Sequence, residues 1–211
     1  KRQGLLSELE LACRKSACRR FAEQQLDGLL FLNVSPDSLL DANHQPGRTL
    51  QLLQTYGIAP SRVVIELTEQ SPTDDFYLLD TALHHYRDMG FSIALDDLGA
   101  GYSSLRLWSE LRPDYVKIDR HFIDGIHRDA VKREFVGSIL QMAKASRSKV
   151  IAEGIELEEE LAVLCEMGVD LLQGYLLCRP QETPPTDARK MLPAIGQPST
   201  PLGEEGSDLT A

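Results

Sequence analysis

Six short apolar runs in this chain each end in a residue able to do chemistry: Asn33, Glu66, Asp96, Lys117 with Asp119 two positions on, Glu153 and Gln173. Asn33, Glu66 and Asp96 are hard oxygen donors of the kind that hold Mg²⁺ or Mn²⁺, and a second acid, Asp97 or Asp119, would let two ions share the site. Carboxylates this close repel one another unless cations lie among them. Two ions about 3.5–4 Å apart are a known device for in-line displacement at phosphorus, where they stabilise the entering and leaving oxygens. Lys117 would add positive charge for a phosphate or orient an attacking water, and Glu153 is left as a candidate base. The plainer reading of Lys117 is a salt bridge to Asp119 or Glu153, and one polar residue at one strand end is ordinarily a cap. Six in the same structural position ask for a common explanation. The cysteines (Cys13, Cys18, Cys165, Cys178) and histidines (His44, His84, His85, His121, His127) show no metal-binding spacing, so any metal would be held by oxygen.

These residues need strands to carry them. Strands are expected at about 29–34, 62–67, 91–96, 114–119, 148–153 and 170–173, separated by helical sequence. Helices are read from Leu5 to Gln25, from the stripe Phe76, Leu79, Leu83 and Tyr86 after a Thr73-Asp74 cap, from Phe135, Ile139 and Met142, and from Leu157, Leu161 and Leu164 up to Gly168. The stripes are read as core contacts. Short, nearly continuous apolar strands suit a parallel sheet buried on both faces. With no dinucleotide or Walker glycine pattern to favour an open sheet, the strand ends are expected to converge on one rim of a barrel. Between Asp97 and Ser104 a loop with Gly99 and Gly101 opens into the helix of Leu105 and Trp108, capped by Ser103 or Ser104. It reads either as a plain connector or as a mobile loop that closes on the metals and links them to a subunit interface.

Composition sets the outer limits. The 211 residues carry 22 Lys and Arg against 32 Asp and Glu, a formal charge of −10, which argues against DNA or an anionic membrane as partner. With 42% apolar and 26% charged residues the chain has the means to build a core. No apolar run approaches the length that spans a bilayer, no secretory signal is visible, and unpaired cysteines suit a cytoplasmic protein with reduced thiols. Prolines and glycines crowd the end of the chain, and 194–211 is read as a linker or tail after a domain at 1–193.

The motifs Asn33-Val34-Ser35, Glu66-Leu67-Thr68-Glu69, Asp96-Asp97-Leu98-Gly99-Ala100-Gly101-Tyr102-Ser103-Ser104, Lys117-Ile118-Asp119, Ala152-Glu153-Gly154-Ile155-Glu156 and Gln173-Gly174-Tyr175 stand in one order and spacing. In them, over about residues 5–180, the chain resembles the EAL domain, the bacterial phosphodiesterase family that opens cyclic di-GMP. The resemblance implies a TIM-type (β/α)₈ barrel. It implies metal ligands at Asn33, Glu66 and Asp96, second-metal carboxylates at Asp97 and Asp119, and a water-contacting lysine at Lys117. Glu153 then stands as general base or further metal ligand, Glu69 as the acid holding the loop from Asp97 to Ser104, and Glu156 and Gln173 as supporting residues. Leu98 replaces the family's usual Phe, a change that should keep the loop packed. The Glu-Ala-Leu tripeptide of the family is not in the sequence, and the barrel's first strands are expected upstream of Lys1. The activity implied is hydrolysis of cyclic di-GMP to linear pGpG with Mg²⁺ or Mn²⁺, two ions in all, favouring motility over biofilm. A homodimer and a fused regulatory domain are further expectations. The alternative is a non-catalytic cyclic di-GMP receptor.

Overall fold

The computed structural model describes residues 2–35, 47–67, 76–99 and 104–185. Helices and strands alternate along the chain. Helix α1 (Arg2–Glu23) leads to β1 (Leu30–Val34), and α2 (Gly47–Tyr56) with a 3₁₀ turn at Pro60–Arg62 leads to β2 (Val63–Leu67). Helix α3 (Phe76–Asp88) precedes β3 (Ser92–Leu98), and α4 (Ser104–Leu111) precedes β4 (Tyr115–Ile118). Helices α5 (Arg120–Ile123) and α6 (Ala130–Ser146) lead to β5 (Lys149–Ala152), and α7 (Glu158–Glu166) leads to β6 (Leu171–Leu172). All six expected strands form. Each pairs in parallel with the next in sequence, in the order β1-β2-β3-β4-β5-β6, without the reversal that defines a doubly wound sheet. This is the winding of a TIM-type barrel.

The strand pleat sorts side chains into three apolar groups. Outward residues Leu32, Val34, Ile65, Leu67 and Ile93 meet Phe21, Leu53, Leu79, Leu83 and Tyr86 from α1, α2 and α3. Outward residues Leu95, Val116, Ile118, Val150 and Ala152 meet Trp108, Ile139, Leu161 and Leu164 from α4, α6 and α7. The third group faces inward: Val64, Ala94, Tyr115 and Ile151 with Phe31, whose ring meets that of Tyr115 edge to face at 5.5 Å. Every member of this inner group stands two residues before a strand-end polar residue. Because strand side chains repeat with period two, the polar ends rest on an apolar floor built by the same strands.

The helix stripes are only partly as expected. In α6 the buried residues are Val136, Ile139 and Ala143, while Phe135 and Met142 are exposed, so the buried face is turned from the predicted one. A run with apolar residues at both 135 and 136 allows either face, and packing on β5 selects Val136. Phe135 instead stacks on Phe122, ring centroids 4.0 Å apart. Leu157 is likewise exposed because it precedes α7 as its N-cap. Helix α2 occupies the stretch between β1 and β2 that is expected to be helical, although no stripe is named for it. The Thr73-Asp74 cap and the tail at 194–211 lie outside the described residues. The four cysteines are free, and no described helix is long and apolar enough to cross a membrane.

Beyond β6 the backbone comes tight against the loop that follows β5. A Cβ on Gly174 would lie 2.1 Å from the Ile155 carbonyl oxygen and 2.3 Å from its nitrogen, and backbone cannot yield as a flexible side chain can. Gly47, at the start of α2, has nothing within 4 Å. Urea denaturation should therefore show Gly174→Ala destabilising by about 2 kcal/mol or more. Gly47→Ala should be neutral or stabilising by about 0.5 kcal/mol, since it gains helix propensity without a clash.

Candidate active site

Register brings the strand-end residues to one side of the sheet. Asn33 pairs with Glu66 across β1 and β2, and Glu66 pairs with Ala94, two residues before Asp96. Val116 pairs with Leu95, which sets Lys117 level with Asp96, and Lys117 pairs with Ile151, two residues before Glu153. Directly opposite residues of a parallel pair share a face, so Asn33, Glu66, Asp96, Lys117 and Glu153 all project inward above the apolar floor.

Asp97 would point outward in a regular strand. Its backbone is left-handed, φ 55°, and the register slips between Leu95 and Leu98. Aspartate tolerates that conformation better than most residues. The extra residue forms a bulge: Leu98 pairs with Ile118 and joins the outer core, while Asp97 turns toward its neighbour. Carboxylate oxygens of Asp96, Asp97 and Glu153 consequently lie within 4.8 Å of one another.

One cation sits among these acids. The Lys117 ammonium, only 6% exposed, pairs with Glu66, with Asp96 at 2.9 Å and with Glu153 at 2.8 Å. The expected salt bridge to Glu153 is present, and the other partners are Glu66 and Asp96 instead of Asp119. Burial opposes the charge on Lys117, but hydrogen bonds to Glu153 and Glu66 outweigh it and raise its pKa, so the lysine stays ionised. Burial pushes the Glu66 carboxyl up to about 7; Lys117 pulls down and Asp96 adds to the rise. Burial also raises Glu153, with Asp96 and Asp97 adding and Lys117 opposing. A lysine shared by three carboxylates cannot neutralise any of them fully. Asp96 Oδ1 is buried and accepts no hydrogen bond of good geometry despite its approach to Lys117.

The donor set therefore fits divalent cations: hard oxygens, several negative charges against one ammonium, and a buried carboxylate oxygen left without a proper donor. Asp96, Asp97 and Glu153 form the close group, with Glu66 and Asn33 beside it on the same face. Asp119 stands apart from that group. Its Oδ1 accepts from the His121 N–H at 2.7 Å and caps α5. Glu69, Gly101 and Ser103 lie outside the described residues. Gly99 is described, at φ 102°, where a Cβ would lie 2.3 Å from the Phe122 ring.

Alongside the acids opens a cleft of about 550 Å³, lined by Asp119, Glu153, Glu156 and Gln173 with Arg120 and Arg179. Glu156 pairs with Arg120 at 3.0 Å, and the Arg120 chain crosses Gly154, where a Cβ would be 2.4 Å from its Cγ. Gln173 is held through its backbone, its N–H on the Ala152 carbonyl at 2.8 Å and its carbonyl accepting from Ile155 at 3.1 Å. Arg179 lies over the Tyr175 ring at 4.5 Å. The two arginines were not among the sequence candidates. Arg120 was readable, since it directly follows Lys117-Ile118-Asp119, whereas Arg179 stands four residues beyond Gln173-Gly174-Tyr175 with no local signal.

A family model described as EAL domain matches residues 1–180. The probable cyclic di-GMP phosphodiesterase PdeA of Escherichia coli K12 is 35% identical over 150 residues, 71% of this chain and 20% of that protein. The cyclic di-GMP phosphodiesterase NbdA of Pseudomonas aeruginosa is 32% identical over 180 residues, 84% of this chain and 23% of that one. This chain thus spans about a fifth of the length of these curated relatives. A standalone EAL protein from Vibrio cholerae O395 in its c-di-GMP-bound form superposes with a TM-score of 0.79 at 29% identity, covering 84% of this chain and 76% of that one. BlrP1 of Klebsiella pneumoniae, in complex with manganese and cyclic di-GMP, superposes with a TM-score of 0.78 at 31% identity, covering 82% and 45%.

The site predicts a pH dependence for metal-free protein. The folded Glu66 carboxyl titrates near 7, above the ordinary 4.5, so between those values the unfolded chain binds fewer protons than the folded one. Stability should then fall as pH rises from about 4.5 to about 7, by on the order of 2 kcal/mol, with Glu153 adding in the same direction. Chemical denaturation in EDTA should show this slope, and Glu66→Gln should flatten it. A slope of opposite sign would mean that Lys117 outweighs burial at Glu66.

Proposed function

The chain belongs to the EAL domain family, and from that premise we propose that it hydrolyses cyclic di-GMP to linear pGpG with Mg²⁺ or Mn²⁺. The observation that carries this reading is the convergence of Asp96, Asp97 and Glu153 around the Lys117 ammonium, beside a cleft, at the carboxyl end of a parallel barrel. The cyclic di-GMP complexes of the V. cholerae and K. pneumoniae proteins support the ligand class. Asn33, Glu66, Asp96, Asp97 and Asp119 would hold two divalent cations, which supply counter-charge for a phosphodiester and acidify water.

The chain's own groups do the rest. Lys117, kept charged by its three carboxylates, orients the attacking water and meets the negative charge that builds on the phosphodiester. The Glu153 carboxylate, made more basic by burial, accepts the proton released by that water. Arg120, Gln173 and Arg179 line the cleft and seat the dinucleotide, with Arg120 anchored by Glu156. Glu69 and the loop through Gly101 and Ser103 are assigned to closing the metal side. Homodimerisation, a cytoplasmic location and attachment to a regulatory domain are part of the same proposal, the first tested by light scattering.

Turnover of cyclic di-GMP is expected with Mg²⁺ or Mn²⁺ and not in EDTA, and Ca²⁺ should inhibit, because it favours longer bonds and higher coordination. Binding of cyclic di-GMP without hydrolysis, with metals present, would make the domain a receptor. Asp96→Asn should abolish turnover and weaken Mn²⁺ binding. Glu153→Gln should lower kcat by ~10² or more while cyclic di-GMP still binds; a wild-type rate in that variant would remove Glu153 from the reaction.

A further inference from the structure

Glu160 carries the most deeply buried carboxylate of the described residues, 1% exposed, and forms no ion pair among them. Backbone N–H groups take up both oxygens. Oε2 accepts from Glu156 and Leu157, each at 3.1 Å, and Oε1 accepts from Gly125 at 2.8 Å. The bond to Leu157 is the ordinary back-bond of a helix-capping box, in which the third residue of α7 reaches the residue before the helix. The bond to Gly125 is not explained by capping. It joins a segment 35 residues away in the chain.

The two segments joined are the exits of β4 and β5. From β4 the chain passes through Lys117 and Asp119 into α5 and then the turn at Gly125. That turn is drawn toward α6 by the Lys132 ammonium, which donates to the carbonyls of His121 at 2.5 Å and Asp124 at 2.6 Å. From β5 the chain passes through Glu153 and Gly154 to Glu156 and Leu157, whose amides Glu160 holds. Arg120 and Glu156 tie the same two exits a second time, but that pair is roughly half exposed and screened by water. Among the described residues the backbone joins the exits once, through the Glu153 N–H on the Ile118 carbonyl at 3.2 Å, and Glu160 is the buried side-chain tie beyond it; a buried carboxylate with three N–H donors is strong and geometrically demanding.

We infer that Glu160 is a positioning residue that locks the β5 exit onto the β4 exit and thereby fixes Glu153 relative to Lys117, Asp96 and Asp97. It touches none of the reacting groups. The inference rests on the reading of Glu153 and its neighbours as a divalent-metal site. Without the tie, the Glu153 N–H still bonds the Ile118 carbonyl at 3.2 Å and Ile155 stays in the outer core, but Glu156 and Leu157 keep, among the described residues, the half-exposed Arg120 pair and the backbone bonds of Ile155 to the segment at Gln173 to Leu176. Both the metal site and turnover should then loosen, although every ligand is still in place.

The test compares purified wild type with Glu160→Ala, Glu160→Gln and Leu164→Ala, the last removing a fully buried side chain from the same helix as a control for lost stability. Mn²⁺ affinity is read by paramagnetic resonance titration, amide exchange at Gly125 and Leu157 by NMR, and turnover with cyclic di-GMP. Glu160→Ala should weaken Mn²⁺ binding about tenfold, lower turnover similarly and speed exchange at both amides. Glu160→Gln, whose amide nitrogen cannot accept, should show a smaller change of the same sign. Leu164→Ala should leave Mn²⁺ affinity and turnover within about twofold of wild type despite its lower melting temperature. Wild-type Mn²⁺ affinity in the Glu160 variants, or an equal loss in Leu164→Ala, overturns the inference. If Glu160→Ala fails to fold, Glu160→Gln decides by the same readouts. A wild type that binds Mn²⁺ without hydrolysing cyclic di-GMP refutes the proposed activity, while the Mn²⁺ comparison still decides the role of Glu160.

Discussion

A single ammonium, Lys117, lies between three carboxylates from three other strands, and the arrangement at the carboxyl end of the barrel depends on it. Removing an ionised lysine from water is costly unless its partners are close and numerous, and here they are. The reverse does not hold, because one positive charge divided among Glu66, Asp96 and Glu153 leaves each acid under-compensated. Burial raises the carboxyls at Glu66 and Glu153, and the divided charge of Lys117 offsets that rise only in part. The imbalance makes further cations the natural complement of the site, with Asp97 adding another negative charge at its edge.

The rest of the barrel makes this concentration of charge tolerable. Phe31, Val64, Ala94, Tyr115 and Ile151 close the interior directly below it, so the polar residues occupy one layer and do not extend into the core. Apolar walls beneath a charged layer keep the local dielectric low, which strengthens each ion pair and raises the cost of leaving a charge unpaired. Outside the sheet two separate clusters fix the helices, and between them the strands cannot slide without turning the interior layer outward. Positional accuracy at the site is thus inherited from packing far from it.

Much of this was legible in the sequence because both the strands and their ends obey a simple period. An apolar run closed by an acid or amide in five cases and by a lysine in the sixth is enough to place Asn33, Glu66, Asp96, Lys117, Glu153 and Gln173 on strand ends. What lay beyond reach were choices between near-equivalent neighbours. Phe135 and Val136 are both apolar, and packing on β5 decided which is buried. Glu156, Glu158, Glu159 and Glu160 form an acidic stretch in which nothing local marks Glu160 as the buried one; its distinguishing partner, Gly125, is remote in sequence. Asp119 reads as a ligand by its spacing from Lys117, yet its carboxylate also caps the short helix that follows.

The bulge at Asp97 acts as a phase slip in an otherwise strict two-stroke alternation. Upstream of it, even and odd positions of β3 face interior and exterior in one sense; downstream the sense is exchanged, so that Leu98 joins the outer core although it is two residues from inward-facing Asp96. The information held there is a count of residues, separate from their identities. Two domains with the same letters in this motif, differing only by one residue in the length of the strand, would present different faces to the barrel interior. Related chains therefore need to be compared by register at this point as well as by motif.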